Sequence, residues 1–596
     1  MTLFYGAFSL NRPSLAVSMP CATLSMPHLI ATSDRDCYAV DAEAGLYCFA
    51  DAFIANRADL LRQLSLGGLS RESLSDSRLI LCAYQRWGIA CLEKLMGDFS
   101  FVLYDEQEQQ LYLARDFLGH RLLYYYQDKD GHLYFSNTIK FMLEAFPIKK
   151  AINPGRVARF TSLVTKPQDD ETFYKDVLRV PEGSYIACPL FGKLSIRKYW
   201  TVTQVQENPL IFSSSEHYYE YFNALFEEVV KEYVYGYDKV ATHLSGGLDS
   251  SSVCAMTAKI LADEQRQFIA FSHLPSVVRT DSPIPNWNYS DEKFIRSLIE
   301  KHPNIQSEII DYSDSKLFST EYYSWFEQPP LNPTNMQWMI SCVKQAKSHG
   351  LSAILSGQGG NFTISWPSNG RKMLPSSSLR KLKSKLGNVK RTIKSRLDLT
   401  PWKTFSAVHP ELAKTEDIPA LFRLGERYYS SGREREFLFD NATTQYASPV
   451  FNGLYHRDGV RHADPTFDRR IVEFCLRIPS SIMMTERDSR LLVRKGLKSI
   501  LPQEIVQRSC RGMQSADWYY SFEKHRPYFH DLLHTWRKSD IASYLDLAEL
   551  QKSLGEWDFH RVSQSQDVSY RKFSRRYQHK FLRAIEIGLF LDTMLS

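Results

Sequence analysis

Several absences narrow the chain before any motif is considered. Across 596 residues no Cys-x-x-Cys pair occurs: the ten cysteines stand apart at 21, 37, 48, 82, 91, 188, 254, 342, 475 and 510. A zinc site is therefore not expected, and free thiols in a reducing cytoplasm are the simplest account. No apolar run reaches the roughly 18 residues that a transmembrane helix needs. The first twenty residues lack a basic start followed by an unbroken apolar core, so no signal peptide is expected. Charge of one sign is also scarce. With 73 Lys and Arg against 67 Asp and Glu, the net +6 is spread thinly and does not by itself point to nucleic acid. Nearly all of the sixteen histidines read as structural or surface residues. What remains is a soluble, 43% hydrophobic chain, long enough for two domains or more.

The richest stretch is Leu244-Ser245-Gly246-Gly247-Leu248-Asp249-Ser250-Ser251-Ser252. An apolar, β-leaning run (Val240, Ala241, His243, Leu244) precedes it. Val253, Met256 and Ile260 come after it at helical spacing. The stretch is thus a loop from a strand's end to a helix's start. Gly246 and Gly247 permit positive φ and close backbone approach. The hydroxyls of Ser245, Ser250 and Ser251, with the free N–H groups of the new helix, make a cradle for a phosphate chain. Asp249 would repel a bare phosphate, so its presence implies Mg²⁺ between carboxylate and phosphate oxygens.

No Gly-Lys-Ser/Thr comes next, which excludes a Walker A loop. The stretch resembles instead the Ser-Gly-Gly-x-Asp-Ser pyrophosphate loop of enzymes that cleave ATP to AMP and pyrophosphate. A second strand is expected at Phe268–His273, with Ser272 near the adenosine. A third strand and loop, Ala353-Ile354-Leu355-Ser356-Gly357-Gln358-Gly359-Gly360-Asn361, resembles the Leu-Ser-Gly-Glu-Gly-x-Asp-Glu fingerprint of the asparagine synthetase family. Gln358 and Asn361 stand on its acid and its metal-binding aspartate. The metal would then rest on Asp249, with Asn361 offering a neutral oxygen.

Upstream, short strands at Phe99–Tyr104, Leu111–Arg115, Leu122–Tyr126 and His132–Phe135 alternate with polar turns, and helices are expected around 58–64 and 77–84. Gly97-Asp98-Phe99-Ser100-Phe101 and Arg115-Asp116-Phe117-Leu118-Gly119 resemble the same family's N-terminal glutaminase domain. That family uses a cysteine directly after the initiator methionine, where this chain has Thr2. Its Asn-Gly-Glu-Ile-Tyr-Asn segment reads Asp51-Ala52-Phe53-Ile54-Ala55-Asn56 here, and a carboxylate at Asp51 would repel a developing oxyanion. The expectation is a domain that keeps the fold and has lost glutamine hydrolysis.

The resemblance implies an α+β, Ntn-hydrolase-like domain of the class II glutamine amidotransferase type over 1–205. An α/β adenine-nucleotide α-hydrolase-like (PP-loop ATP pyrophosphatase) domain on a parallel sheet would occupy 206–596. The C-terminal part, from about Glu434, reads as helical. Asp464 to Phe474 resembles the family's stretch lining the substrate cleft, and Arg494 and Arg508 match further positions. Cys510 stands where the family has a charge-stabilising lysine, so Arg511 is the candidate to supply that charge. The basic run from Arg371 to Arg396 contains no acid. It reads as a solvated loop, or as a docking site for an acidic peptide, a protein or a membrane surface. It is too poor in aromatics for nucleic acid.

Without glutamine-derived ammonia, the amine must come with the substrate. The Gln-Gly-Gly form of the second motif and Arg511-Gly512-Met513-Gln514 are similar to lasso-peptide cyclases, which adenylate an Asp or Glu side chain of a precursor peptide and close a macrolactam with its N-terminal amine. This implies ATP and Mg²⁺, a cytoplasmic location, and a leader peptidase and leader-binding protein as partners. The pyrophosphate would be held by residues 244–251. Ser272 and Gly357 would lie by the adenosine, Gln358 and Asp464 would face the acyl group, and Arg511 would offset charge. The base for the amine stays open between Asp464 and Glu473. The alternatives are ammonia-dependent asparagine synthesis and a β-lactam-synthetase-like ligase.

Overall fold

The computed structural model describes residues 3–10, 23–34, 37–70, 73–166, 169–275, 282–311, 316–366, 401–431, 439 and 447–596. The basic run 371–396 and Thr2 lie outside these residues.

Strict alternation governs the first half. Along Gly97–Asp105, Phe99, Phe101 and Leu103 face one way, while Val102 and Tyr104 face the other. Both faces are buried, so the strand lies between layers. Phe99 and its companions pack on the helices Arg57–Gln63 and Asp76–Trp87, close to the expected 58–64 and 77–84. Ser75 starts the second of these, its Oγ accepting from Arg78 N at 3.2 Å. Val102 and Tyr104 meet Phe4, Phe8 and Phe135 of a second sheet. Two antiparallel six-stranded sheets result. One runs 195–198, 184–189, 110–115, 97–105, 46–54, 38–41, and the other 178–179, 124–127, 132–136, 4–9, 29–33, 24–25.

The helix Val202–Gln206 and the long helix Ser215–Gly236 then lead to a five-stranded sheet. Its order is 305–309, 268–272, 240–243, 353–355, 461–463, and every pairing is parallel. Chain order across it is therefore third, second, first, fourth, fifth. The direction of winding reverses between Val240–His243 and Ala353–Leu355, and a crevice opens outside the carboxyl ends of such a pair. Both glycine-bearing loops leave from these two ends.

Arg461–Ala463 corrects the reading of the C-terminal part as helical. Three residues are too few to display a period of two, so the strand left no signal. Helices do dominate the chain beyond it, and Leu582–Leu595 is buried nearly all round. It shares a core with Phe160 and Phe173 of the first half. Polar ties join the halves as well: Arg461 donates to Asp51 Oδ1 at 2.7 Å and Tyr124 to Glu327 Oε2 at 3.0 Å. Among the described residues no helix is long and apolar enough to cross a membrane.

Glu586, 1% exposed in that last helix, accepts from Tyr323 Oη at 2.7 Å. Burial pushes its carboxyl up to about 8, against the opposing effect of the Tyr323 hydrogen bond. The folded state thus keeps a proton that an unfolded glutamate loses near about pH 4.3. The resulting stability is full below that value and is lost as pH rises toward 8, at up to about 1.4 kcal/mol per unit. Glu586→Gln should flatten the fall in urea midpoint over this window. A variant profile as steep as the wild type's would refute the account.

Candidate active site

Gly246 takes φ +70°, the left-handed turn that lets the chain double back after Leu244. Within the loop, Ser245 and Ser250 share a hydroxyl–hydroxyl hydrogen bond of 2.8 Å, and Ser250 Oγ also accepts from Ser245 N at 3.2 Å. The helix Leu248–Ala262 begins at once, with Asp249 in its first turn. From outside, Arg508 fixes the loop. Its Nη1 donates to Gly246 O at 2.6 Å and its Nη2 to Asp291 Oδ1 at 2.7 Å. Arg494 in turn donates to Arg508 O at 2.6 Å and to Val506 O. Arg508 and Arg494 therefore serve to hold the loop.

The second loop lies directly against the first. A Cβ on Gly357 would come within 2.6 Å of Asp249 O, and one on Gly360 within 2.5 Å of Asp249 Oδ1. Only glycine lets the two strand ends close to this distance. Asp249 Oδ1 is buried there without a hydrogen-bond partner. Desolvation raises the Asp249 pKa, while Ser365 and Arg490 pull it down. The Ser365 hydroxyl is the hydrogen-bonding group that acts on this carboxylate, and a buried carboxylate so thinly satisfied is costly unless a cation completes it. Asn361 lines the same cavity. Among the described residues no three His, Cys, Asp or Glu gather to hold a metal. His530 and His534, four residues apart on the helix Trp518–Trp536, are both exposed and recruit no third ligand among them. One carboxylate and one amide oxygen, the rest coming from phosphates and water, is the way Mg²⁺ is usually bound beside a nucleotide. The residues present fit that ion.

The two loops open on a cavity of about 710 Å³. Leu244, Ser245, Gly247, Asp249 and Ser250 line it, with Gly357, Gln358 and Asn361 facing them and Arg490, Arg508 and Arg511 nearby. Burial lowers the Arg511 pKa, and the neighbouring Arg490 adds to this. Such a group of guanidiniums, with a loop offering N–H donors, suits a polyanion. The cavity also has an apolar and aromatic lining, Phe271, Trp287, Tyr289, Trp338 and Met513. Trp338 stands 5.4 Å from both His243 and His273, ring centre to ring centre. Burial holds both imidazoles neutral, at about 4. His243 Nδ1 has no hydrogen-bond partner.

Not every expected residue reaches the cavity. Gly246 shapes the loop from behind, its carbonyl turned to Arg508. Ser251 is fully buried within the helix. Ser272 is 1% exposed, and the next residue, His273, lines the cavity instead. Asp464, expected to face the acyl group, does not line this cavity; it lines a small pocket that Gln358 also borders. It accepts from Ser356 Oγ at 3.0 Å, Gly359 N at 2.8 Å and Thr466 N at 2.9 Å, and so builds the second loop from beneath. Burial raises its pKa to about 6, against the lowering effect of these bonds. Glu473 lies elsewhere, accepting from Trp200 Nε1 at 3.0 Å and Arg469 Nε at 2.7 Å. Its own helix, Arg469–Arg477, turns it toward the first half. Sequence reasoning gave no role to Arg490, Trp338 or His243. Arg490 carried a signal, as the basic residue four before Arg494 in the stretch that resembles the family's Lys-x-x-x-Arg, and His243 carried one as a titratable residue in an apolar strand beside the loop.

Asp51 also differs from the expectation. It is 1% exposed and paired to Arg461, with Arg121 and His456 within 3.8 Å. Burial raises its pKa, but Arg461 and Arg121 outweigh burial and hold it ionised well below the usual carboxylate range. Its charge is spent across the boundary between the halves. A small pocket lies beside it, between His120, Arg461 and Asp464, and Gln358 lines both this pocket and the large cavity.

The glutamine amidotransferase domain family matches residues 44–200, and the asparagine synthase family matches residues 222–574. The chain is similar to "Amidase chry2" of Gibberella zeae, 26% identical over 289 residues, covering 48% of this chain and 42% of that one. It is 28% identical over 203 residues to asparagine synthetase (glutamine-hydrolyzing) 3 of Bacillus subtilis, covering 34% and 32%. A putative asparagine synthetase (glutamine-hydrolyzing) of Mycobacterium bovis is 20% identical over 482 residues, covering 73% and 69%. The chain thus spans less than half the length of the first two of these relatives.

Gly360→Ala tests the contact between the loops. Its methyl would displace Asp249 Oδ1, and titration calorimetry should show Mg·ATP bound at least about tenfold more weakly. Unchanged affinity would remove Asp249 from the metal.

Proposed function

The chain belongs to the asparagine synthase family, and from that premise we propose that it activates a carboxylate with ATP and joins it to an amine, releasing AMP and pyrophosphate. We propose further that acid and amine belong to one precursor peptide, so that the product is a macrolactam. The observation that carries the finer reading is the aromatic lining of Trp287, Tyr289 and Trp338 in the cavity that the phosphate loop opens on. Free aspartate and ammonia have no use for it, whereas apolar peptide side chains do. The engagement of Asp51 by Arg461 and Arg121 supports an amine that arrives with the substrate rather than from glutamine.

The carboxylate oxygen attacks the α-phosphorus and the bond to pyrophosphate breaks. Loop N–H groups with Ser245 and Ser250 take the leaving pyrophosphate. Asp249 and Asn361 would hold Mg²⁺, whose charge offsets that of the phosphates. Gln358, which has no proton-accepting role, orients the acyl group. Arg490 and Arg511 stabilise negative charge on the adenylate and on the tetrahedral intermediate. The amine nitrogen then bonds to the acyl carbon and AMP leaves. Its proton needs a base, and neither Asp464 nor Glu473 lines the cavity. His243 is our assignment, being neutral, at the cavity wall and unpartnered at Nδ1. Holding both ends of the peptide in one cavity supplies the entropy that ring closure needs. A leader peptidase and a leader-binding protein would act beside this chain.

A second reading, asparagine formation from aspartate and ammonium, is favoured by the names of the Bacillus and Mycobacterium relatives. One assay separates the two. With Mg·ATP and a candidate core peptide, mass spectrometry should show loss of one water together with AMP, and Asp249→Ala should abolish both. Release of ADP and orthophosphate, or asparagine made from aspartate and ammonium, would overturn the proposal.

A further inference from the structure

A second cavity adjoins the first. It measures about 930 Å³ and lies between the turn at Trp402–Pro410 and the helices near the C-terminus. Six cations line it, namely Lys403, Arg571, Lys572, Arg575, Arg576 and Lys580, against two acids, Asp546 and Glu549. The acids are committed. Asp546 caps a helix by accepting from Glu549 N at 3.0 Å, and Glu549 pairs with Lys580 at 3.1 Å. Arg576 is held by Glu556 and Arg571 by Asp567. Lys403, Lys572 and Arg575 are exposed and have no ion pair among the described residues. Like charges left together in a trough raise the local concentration of anions.

The wall between the two cavities is one continuous helical rod. It comprises Asp567–Phe573, a π-helical segment Ser574–Phe581 and the start of Leu582–Leu595. Arg571, Arg575 and His579, spaced by four, line the nucleotide cavity. Lys572, Arg576 and Lys580, also spaced by four, line the trough, and Arg571 and Arg575 line both. π-helical turns are rare and cluster at functional sites. The asparagine synthase match ends at residue 574, the first residue of the π-helical segment.

We propose that this trough binds an acidic segment of the peptide whose carboxylate enters the neighbouring cavity. The trough's composition favours peptide over a small anion. Val408, Pro410 and the 75% exposed Val568 give it apolar surface between the cations. Trp402, 5% exposed, lines it with an indole N–H that has no hydrogen-bond partner, a donor for a carboxylate or a peptide carbonyl. Nucleic acid is disfavoured because, among the described residues, Trp402 is the sole aromatic in the lining. The inference rests on the amide-forming reading only for the identity of the segment, not for the binding itself.

The test uses the full chain without ATP and a fluorescein-labelled peptide of alternating Glu and Leu, followed by anisotropy. Binding should weaken with salt. It should fall at least about tenfold in the Lys403→Glu/Lys572→Glu double variant, and by less in Lys403→Gln/Lys572→Gln. Calorimetric ATP affinity, unchanged in both variants, shows that they are folded. Equal peptide binding by wild type and the Glu variant, or tighter binding of single-stranded DNA than of the peptide, would overturn the proposal. Pyrophosphate exchange into ATP tests the amide-forming reading separately, so either can fail alone.

Discussion

The site depends on one contact, the pressing of two neighbouring strand ends against each other at Asp249. The reversal of winding between Val240–His243 and Ala353–Leu355 opens the crevice, but the sheet alone leaves it unshaped. Gly357 and Gly360 let the second loop touch the backbone and the carboxylate of Asp249. Their role is packing of protein on protein, before any ligand is considered. Arg508 closes the arrangement from the far side by gripping Gly246 O and Asp291 together. Held on both sides, Asp249 keeps one oxygen without a protein partner. Protein interiors rarely tolerate that, which is why the arrangement argues for a cation even though the second loop carries Asn361 in place of an acid.

The same sheet is tied to the first half of the chain. Arg461 sits on the last strand, beside Ala353–Leu355, and its guanidinium meets Asp51 of the antiparallel layers. Three strand-borne or loop-borne groups, Asp51, Arg121 and Arg461, thus form a buried charge cluster at the boundary. Removing one partner of such a cluster costs about 3–5 kcal/mol, because the remaining charge is left buried. A segment that resembles the oxyanion-forming part of a glutaminase is here used as a joint. Gln358 stands between this joint and the large cavity, so the geometry of the second loop is linked to the seating of the first half.

Much of this was legible because the signals were local. The strand, glycine turn and helix around Leu244–Ser252 were readable from a change of period and from Gly246, and the run Phe99–Tyr104 announced a strand, though not that both of its faces are buried. Resemblance carried the two-domain order and the family. It failed where side-chain direction mattered. Asp464 and Glu473 lie in a stretch that resembles a cleft lining, yet Asp464 turns under the second loop and Glu473 turns to Trp200. Nothing in residue spacing distinguishes a carboxylate that caps a turn from one that faces a cavity. Arg490 stands at the basic position of a stretch resembling the family's Lys-x-x-x-Arg, but the left-handed backbone, φ +61°, from which it reaches the cavity had no signal in the sequence. Trp338 arrives on the helix Pro333–Ser348, and only the topology brings it beside His243.

The cavity therefore has two kinds of wall with different origins. One is made of strand ends and glycine loops, fixed by backbone contacts that admit almost no substitution. The other is made of the short strand Trp287–Asn288, the helix that bears Trp338 and the rod through Ser574–Phe581. Changes on the first wall move Asp249 and so alter every reaction the cavity could run. Changes on the second leave Asp249 and the glycine loops in place. The two walls still meet, since Trp287 pairs in register with Arg511 and the Trp338 ring stands 5.4 Å from that of His243. The rod belongs to both kinds of surface at once: its π-helical segment begins at Ser574, buries Tyr577 and Phe581 in the core, and sends Arg575 and His579 to the cavity.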